Sequence, residues 1–215
     1  MNCDPLARSY RWMEYAVFGT TLQRCRCCHL QGLQNPRSAL VLGDGDGRFT
    51  ARLAERYPDL RIDYLDISGN MIALARRRIE RANAASMQRI RFHQGDARTA
   101  VLRSESYDVI AAHFFFDFFS FADVELMISR MSALAAPGAA WIVSDFELPP
   151  NRLSALWARP LLRTMYLFFR FSVGLDNQRL SDWRAPLRAH GFSSRNACRL
   201  WAGFIVSELW IRGTE

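Results

Sequence analysis

The chain contains no lysine. All 28 of its Lys+Arg residues are arginines, in a sequence of 215 residues. Without lysine a protein cannot form a Schiff base with pyridoxal phosphate, and it cannot supply the lysine of a Walker A loop or of a protein-kinase strand. The sequence therefore excludes those routes of phosphoryl transfer and pyridoxal chemistry on a lysine.

Long uninterrupted apolar runs are also missing. The composition is 50% hydrophobic, but arginines interrupt the apolar residues throughout, so no stretch is typical of a transmembrane span. The N-terminal residues lack the apolar core of a secretory signal. We therefore expect one soluble, cytoplasmic, globular domain.

The chain has five cysteines, an odd number that argues against a disulfide framework. Cys25 and Cys28 have the C-x-x-C spacing of many zinc ligands, and His29 follows them. A structural zinc site normally needs a second pair of ligands, and Cys198 is the one cysteine further along the chain. We therefore expect reduced thiols and no metal ion.

The formal net charge of +7 is compatible with nucleic acid, an anionic membrane surface or an acidic substrate as the partner. The densest basic run, Arg76-Arg77-Arg78, lies on a predicted helix, where consecutive side chains spread around the axis and form no single stripe. This favours the simpler interpretation of a solvated, arginine-rich surface.

Short apolar runs alternate with helical patterns, which is typical of βαβ units and a parallel sheet. Five strands are predicted at 39–42, 62–65, 90–93, 109–112 and 141–144. Helices are predicted to begin near Arg48, Ser68, Arg98 and Asp123, and Pro137-Gly138 is expected to end the helix over 122–136.

Helical segments flank this alternating region, at 5–33, 153–173 and 180–190, and the last is expected to end at Gly191. Two closing runs, 194–200 and 204–211, predict an antiparallel hairpin. The predicted fold class is α/β, a doubly wound, mostly parallel seven-stranded sheet with a C-terminal antiparallel hairpin. We divide the single domain 1–215 into an N-terminal arm or lid (1–37), a cofactor-binding core (38–146), a helical insertion (147–177) and the last helix with the hairpin (178–215).

The insertion is amphipathic, with apolar residues on one side and Arg159, Arg163 and Arg170 on another. Such a helix serves as a lid over an apolar substrate, as a peripheral membrane contact or as plain packing against the sheet. The lid interpretation places the helix around 161–169, with Tyr10, Trp12 and Tyr15 of the arm, over the acceptor at the carboxyl edge of the strands.

The first predicted strand runs into Gly43-Asp44-Gly45-Asp46-Gly47. Alternate glycines allow a tight turn and let a ligand lie against bare backbone near a helix N-terminus. A dinucleotide site needs a third glycine where this chain has Thr50. The charges of Asp44 and Asp46 would repel a pyrophosphate, so the loop favours a cationic ligand.

Asp66 ends the second predicted strand, where a carboxylate accepts hydrogen bonds from the two hydroxyls of a ribose. The alternative is that Asp66 only caps the next helix. Ser68 is available for that role, which favours the ribose.

The ordered segments ALVLGDGDGRFT, LDISGNMIALARRR, FHQGDA, YDVIAAHFFFDFF and LAAPGAAWIVSDF resemble the motifs of class I S-adenosylmethionine-dependent methyltransferases. They cover residues 39–146. The resemblance implies S-adenosyl-L-methionine as cofactor and the following cofactor-binding residues: Gly43, Asp44, Gly45, Gly47, Asp66, Ile67, Met71, Asp96, Ala97 and His113.

The roles carried by the resemblance differ along the chain. The loop backbone would hold the methionine moiety, Asp66 the ribose, and Ile67 and Met71 would pack on the adenine. Asp96 would accept from the adenine amino group, with Ala97 lending its backbone N–H. One departure is Val41, which stands where the family usually has an acidic residue.

Three candidate catalytic residues, His113, Asp117 and Asp145, follow or end predicted strands. Each could act as a base, since an OH or NH acceptor loses a proton on methylation. For His113 the alternative is packing or hydrogen bonding at the cofactor, and for the two aspartates it is capping or loop structure.

The acceptor is expected to be a small molecule. The [DNS]-P-P-[YF] tetrapeptide of amino-methylating nucleic-acid enzymes is replaced by HFFFDFF, so nucleic acid is not favoured. The sequence thus predicts methyl transfer to oxygen or nitrogen of a small, apolar or aromatic acceptor. The alternatives are an RNA methyltransferase and a non-catalytic S-adenosylmethionine-binding regulator.

Overall fold

The computed structural model describes residues 18–102, 106–149, 151, 156–164 and 182–213. Its strands are β1 Ser38–Leu42, β2 Arg61–Asp66, β3 Ile90–Gln94, β4 Tyr107–His113, β5 Ala135–Phe146, β6 Phe192–Leu200 and β7 Ile205–Arg212. They form one seven-stranded sheet in the order β3-β2-β1-β4-β5-β7-β6. Strands β1 to β5 are parallel, and β7 is antiparallel to both β5 and β6, which confirms the predicted fold class.

The sequence of β1, SALVL, explains its central position. All of its residues are buried, because helices cover both faces of the sheet there. Its odd and even side chains enter two different cores. Val41 belongs to the core beneath α2 and α3, whose ranges are Arg48–Arg56 and Gly69–Ala82, and Leu40 belongs to the core on the opposite face.

Three further α-helices are α1 Thr21–Cys27, α4 Phe121–Ser132 and α5 Arg184–Ala189. Ser68 begins α3 as predicted, because its Oγ accepts a hydrogen bond from the backbone N–H of Met71. Gly191 ends the segment after α5 at φ 80°, the left-handed conformation that favours glycine.

Two predicted helix boundaries are wrong. No helix begins at Arg98, where the chain makes a single turn over 97–99, because Asp96 binds both the backbone N–H and the guanidinium of Arg98. Helix α4 ends at Ser132, and Pro137 and Gly138 lie inside β5. The register of β5 against β4 shifts beside them, so the missing N–H of proline falls at an irregularity in the ladder.

Several predictions fall on residues that lie outside the described ranges. These include most of the N-terminal arm with Tyr10, Trp12 and Tyr15, and Arg170 of the insertion. Among the described residues of the insertion, 156–164 are helical, with Arg159 and Arg163 exposed. None of the helices in the ranges given above is long and apolar enough to cross a membrane.

A third apolar core lies at the carboxyl edge of the sheet. It joins the N-terminal segment to the insertion, the end of β5 and the start of β7, and we call it the edge cluster. Its buried members are Phe18, Leu22, Cys25, Phe114, Phe146, Ala158, Leu162, Phe204 and Ile205.

Candidate active site

The order of the strands places a crevice at the end of β1. Its neighbours are β2 on one side and β4 on the other, so the direction of the strand order reverses at this point. In open α/β sheets, ligands bind at this reversal, outside the carboxyl ends of the strands. The segments that follow β1, β2 and β4 therefore form the candidate site.

The glycine loop, Gly43–Gly47, connects β1 to α2. Gly43, Gly45 and Gly47 all have positive φ, at 57°, 62° and 76°. A Cβ on Gly43 would collide with the ring of Phe115, and a Cβ on Gly47 would lie 2.7 Å from the Cβ of Ala75. A Cβ on Gly45 would meet nothing within 4 Å. The loop is thus packed at both ends and open in the middle, which fits a ligand lying against its backbone.

The two carboxylates of the glycine loop are engaged by other groups of the protein. Asp44 caps α2, because its Oδ2 accepts from the backbone N–H and the hydroxyl of Thr50, both at 2.8 Å. Burial raises the pKa of Asp44 to about 6, partly offset by these hydrogen bonds. Asp46 pairs with Arg78 at 2.7 Å and with Arg48 at 3.1 Å. The sequence predicts two free negative charges in the loop, whereas both aspartates are partnered in the structure.

Asp66 lies at the end of β2 with 9% of its surface exposed. Its Oδ1 accepts from the backbone N–H of Ser68 at 2.9 Å, so the alternative of a local structural role is realised in part. Burial raises its pKa to about 6, and hydrogen bonds from the backbone of Ser68 and Gly45 act in the opposite direction. Asp66 is therefore adjacent to the open middle of the glycine loop.

Tyr64 is a residue of this region that the sequence analysis missed. It is fully buried, and its hydroxyl donates to the carbonyl of Gly45 at 2.6 Å, with the Oδ2 of Asp66 at 3.5 Å. A tyrosine two positions before the strand-end aspartate was readable in the sequence. Only the fold shows that it ties the strand to the loop.

The residues expected to surround an adenine lie near the crevice, but Asp96 has a protein partner that the sequence did not predict. Ile67 is exposed, Met71 is half-buried at the start of α3, and Ala97 is buried. The carboxylate of Asp96 forms a bidentate ion pair with the guanidinium of Arg98, with a shortest contact of 2.6 Å. These hydrogen bonds lower the pKa of Asp96. Arg98 is thus a second residue that the sequence analysis did not connect with the site.

His113 ends β4 and is 3% exposed. Its Nδ1 lies 2.8 Å from the Oγ of Ser144, which donates to the Oγ of Ser207. Its buried Nε2 has no hydrogen-bonding partner in the described chain. Burial holds the pKa of His113 well below its usual value, and the nearby charge of Arg26 acts in the same direction. The imidazole is therefore neutral near pH 7.

The chain turns sharply after His113. Phe114 has φ 52°, a left-handed conformation that is strained for a residue with a side chain. Its backbone N–H donates to the carbonyl of Ser144 at 2.7 Å, and its ring lies 4.9 Å from that of Phe146. These contacts hold the turn at the carboxyl edge of the sheet, between the glycine loop and the edge cluster.

Asp117 and Asp145 lie together on the opposite face of this edge. Burial raises the pKa of Asp145 well above its usual range, and the adjacent Asp117 carboxyl, in hydrogen-bonding contact, raises it further. The Oδ1 of Asp145 also accepts from the backbone N–H of Phe146 at 2.9 Å. Two acidic side chains that the sequence placed on separate segments are therefore a contacting pair.

Helix α1 brings a positive charge to the site that the sequence analysis also missed. The guanidinium of Arg26 lies 5.1 Å from the centre of the Phe114 ring. It is close enough to Asp44 and His113 to lower the pKa of both groups, in each case as a smaller effect than burial. Within the described ranges, no group of three or more His, Cys, Asp or Glu residues is placed to hold a metal ion.

Comparison with known proteins agrees with this geometry. Residues 39–138 match a family model described as a methyltransferase domain. The demethylmenaquinone methyltransferase of Thermus thermophilus is 31% identical over 135 residues, which cover 62% of this chain and 59% of that protein. The trans-aconitate 2-methyltransferase of Variovorax paradoxus is 32% identical over 148 residues, covering 61% of this chain and 53% of that protein. The chain thus spans only a little over half the length of these curated relatives.

Solved structures show the same fold. An O-methyltransferase family protein from Burkholderia thailandensis superposes with a TM-score of 0.70 at 15% identity, over 99% of this chain and 58% of that one. The magnesium protoporphyrin IX methyltransferase of Synechocystis, solved with bound S-adenosylhomocysteine, has a TM-score of 0.64 at 18% identity, over 90% of this chain and 82% of that one. Residues 39–138 thus match a methyltransferase domain, and the chain is similar in sequence and in its seven-stranded sheet to known methyltransferases.

Proposed function

We propose that this protein transfers a methyl group from S-adenosylmethionine to an oxygen or nitrogen atom of a small, apolar or aromatic acceptor. One observation carries the proposal. The open glycine loop after β1, the buried carboxylate of Asp66 after β2 and the buried imidazole of His113 after β4 converge at one crevice.

The residues present fit the cofactor. The open space at Gly45 leaves room for a ligand on the backbone, and Asp66 lies next to it with one carboxylate oxygen not engaged by Ser68. We assign the ribose hydroxyls to Asp66 and the methionine moiety to the backbone of the glycine loop. The side chain of Asp44 caps α2, so only its backbone contributes.

The adenine is assigned to a second group of residues. Ile67 and Met71 offer apolar surface beside Asp66, and the backbone N–H of Ala97 and the carboxylate of Asp96 supply polar contacts. Asp96 already forms a bidentate ion pair with Arg98. It would therefore use its remaining lone pairs to accept a hydrogen bond from the adenine amino group.

S-adenosylmethionine, when bound, supplies a methyl group on a sulfonium that needs no further activation. What the protein must supply is orientation, exclusion of water and a group that takes the acceptor's proton. We assign the proton acceptor to His113. It is neutral near pH 7, Ser144 holds its Nδ1, and its Nε2 has no partner in the described ranges.

Asp117 and Asp145 have a different proposed role. Because two buried carboxyls in contact cannot both carry a charge at low cost, the pair keeps one proton to a higher pH than an isolated carboxyl would. The pair therefore acts as a hydrogen-bond donor or proton store beside the site rather than as a second strong base.

The acceptor class rests on the edge cluster. Residues from the N-terminal arm and the insertion meet there, together with Phe114 after β4 and Phe146 at the end of β5. An apolar cover of this kind suits a small hydrophobic molecule and excludes water. The names of the curated relatives, which refer to demethylmenaquinone and trans-aconitate, support a small-molecule acceptor. We accordingly propose that the arm (1–37) and the insertion (147–177) form a lid on the core (38–146).

The test is a screen with S-adenosylmethionine that carries a labelled methyl group. The panel contains hydroquinones and phenols, small carboxylic acids, amines and a mixed RNA sample. We expect label in a small apolar acceptor, lost in His113→Gln and kept in His190→Gln. Label in RNA that declines steeply with salt would instead indicate a nucleic-acid methyltransferase. Tight cofactor binding with no labelled acceptor of any class would indicate a regulator.

A further inference from the structure

A pair of thiols outside the proposed catalytic crevice joins the N-terminal segment to the C-terminal hairpin. Cys28 follows α1 and is exposed, and Cys198 lies on β6 and is half-buried. Both are free thiols. The side chain of Cys28 lies close enough to those of Cys198 and Ser207 for both to act on the pKa of its thiol. Residues that are far apart in sequence are thus side by side in the fold.

The backbone around both cysteines is fixed by the same strand. Cys198 on β6 is the register partner of Ser207 on β7. His29, the residue after Cys28, is buried, and its Nε2 lies 3.0 Å from the backbone carbonyl of Ser207. The packing of α1 on the hairpin therefore holds the two cysteines close to each other.

We propose that Cys28 and Cys198 form a reversible disulfide when the protein meets a small disulfide oxidant such as oxidised glutathione. The thiolate of Cys28 attacks one sulfur of the oxidant, forms a mixed disulfide and releases one glutathione. The thiolate of Cys198 then attacks the Cys28 sulfur and releases the second glutathione. The two thiol protons end on the two released glutathiones, and the two cysteines are oxidised as the oxidant is reduced.

The other described cysteines are placed less favourably for this chemistry. Cys25 is fully buried in the edge cluster, so a bulky oxidant cannot reach its sulfur. The Sγ of Cys27 accepts a hydrogen bond from Gln23, which in turn donates to the carbonyl of Arg48. Cys28 is the exposed member of the group, so an oxidant can reach its sulfur.

The environment of the pair sets the rate. Partial burial of the sulfur raises the pKa of Cys28 to about 12, and the adjacent Cys198 contributes in the same direction. Because the thiolate is the nucleophile, only a small fraction of Cys28 is reactive at pH 7. We expect closure to be slow at neutral pH and to accelerate about tenfold for each pH unit between 7 and 9.

The bond would lock α1 to the hairpin. Helix α1 carries Arg26, which lies over Phe114 beside the candidate site. Closure therefore restrains a segment that borders the crevice without altering any residue assigned to the cofactor or the acceptor. The inference goes beyond the proposed function and does not depend on it, because its readouts are chemical and thermal.

The experiment uses the full chain with Cys3→Ser, since Cys3 lies outside the described ranges. The protein is incubated with oxidised glutathione at pH 7, 8 and 9, its remaining thiols are blocked, and disulfide-linked peptides are mapped by mass spectrometry. We expect a Cys28–Cys198 linkage that dithiothreitol reverses, and an increase in melting temperature of about 5 °C on oxidation. Cys27→Ser should retain both effects, and Cys28→Ser should lose both.

Because Cys28 is exposed, Cys28→Ser is expected to fold even if Cys198→Ser does not. Three results would overturn the proposal. These are a linkage of Cys25 to either cysteine, stable glutathione adducts on Cys28 without the internal bond, and unmodified thiols at pH 9.

Discussion

At the scale of single residues, the candidate site depends on carboxyls that are buried and yet hydrogen-bonded. Asp44 and Asp66 both have a pKa raised to about 6 by burial, and both accept backbone N–H bonds that oppose this shift. A small change in pH or in one side chain therefore alters the charge that a ligand meets in the crevice.

The first prediction concerns the charge of Asp66. Asp66→Asn keeps the shape of the side chain and one acceptor oxygen for Ser68, but it removes charge-assisted bonds to the ribose. We expect affinity for S-adenosylhomocysteine to fall at least about tenfold, the scale of a hydrogen bond to a charged group. Isothermal titration calorimetry measures this. Asp59→Asn is the matched control, since Asp59 is exposed and paired only with Arg37 in the described structure. Equal affinities of both variants would contradict the ribose assignment.

The second prediction is the pH dependence of binding. At pH 5 a carboxyl with a pKa of about 6 is only about one-tenth ionised, so cofactor affinity should fall about tenfold between pH 7 and pH 5. The titration is repeated with Asp66→Asn, whose profile should be flatter. A profile of the variant as steep as that of the unaltered protein would assign the pH dependence to another group.

The same shifts have the opposite effect on the free protein. Burial moves both pKa values from 3.8 to about 6, so between those values the folded state binds more protons than the unfolded state. The contribution of Asp44 and Asp66 to stability therefore increases as the pH falls through 6 toward 4. Thermal melts of the apoprotein should show Asp66→Asn with a smaller gain on acidification than the unaltered chain.

The third prediction concerns His113. His113→Gln removes the imidazole that we assign as proton acceptor, so kcat should fall about a hundredfold or more while the Kd of S-adenosylhomocysteine changes little. His190→Gln, after α5, is the control. If kcat persists while cofactor binding weakens, His113 packs on the cofactor and another group takes the proton.

Single residues also show where sequence reasoning stops. The positions of Asp66 and His113 at strand ends, and of Asp96 just after one, follow from the alternating pattern, because parallel strands all end at the same edge. The partners of these residues do not follow. Arg98 on Asp96 and Arg78 on Asp46 are long, flexible side chains whose contacts depend on the three-dimensional packing.

At the scale of elements, two of the three loop glycines, Gly45 and Gly47, provide a matched pair for the fourth prediction. Gly47→Ala places a methyl group 2.7 Å from the Cβ of Ala75 on α3, whereas Gly45→Ala places it in open space. Both have positive φ, so the backbone strain of alanine is similar. Gly47→Ala should therefore lower stability by about 2 kcal/mol more than Gly45→Ala, as measured by urea unfolding.

Cofactor binding should rank these variants differently. The methyl group of Gly45→Ala occupies the space that we assign to the ligand, so S-adenosylhomocysteine should bind more weakly to this variant although the protein remains stable. Unchanged affinity of Gly45→Ala would place the ligand elsewhere on the loop.

The elements themselves were predictable where their pattern is local. The β-branched and aliphatic strands, the Ser68 cap and the Gly191 turn each follow from a few neighbouring residues. The helix expected at Arg98 fails for a physical reason, since Asp96 closes a single turn around Arg98 and the helix does not continue. The extension of β5 through Pro137 depends on a shift of register against β4, which no local pattern encodes.

At the scale of the whole molecule, the edge cluster joins segments that lie far apart in the chain. The fifth prediction uses Leu162, which is 8% exposed in this cluster, and Leu156, which is 71% exposed on the same helical segment. Leu162→Asp should open the cover, so acceptor turnover should fall while cofactor affinity persists. Leu156→Asp should change neither. Equal loss of cofactor binding and turnover in Leu162→Asp would mean that the cluster is only core packing.

The position of β7 has a consequence for how this protein folds during its synthesis on the ribosome. Because β7 lies between β5 and β6, residues 205–212 must emerge before either neighbour is fully paired. Until then the nascent chain exposes the edge of β5, a long apolar strand whose unpaired backbone can recruit other chains. Synthesis that stalls just before residue 205 should therefore leave an aggregation-prone fragment that depends on chaperones, although most of its fold has already been made.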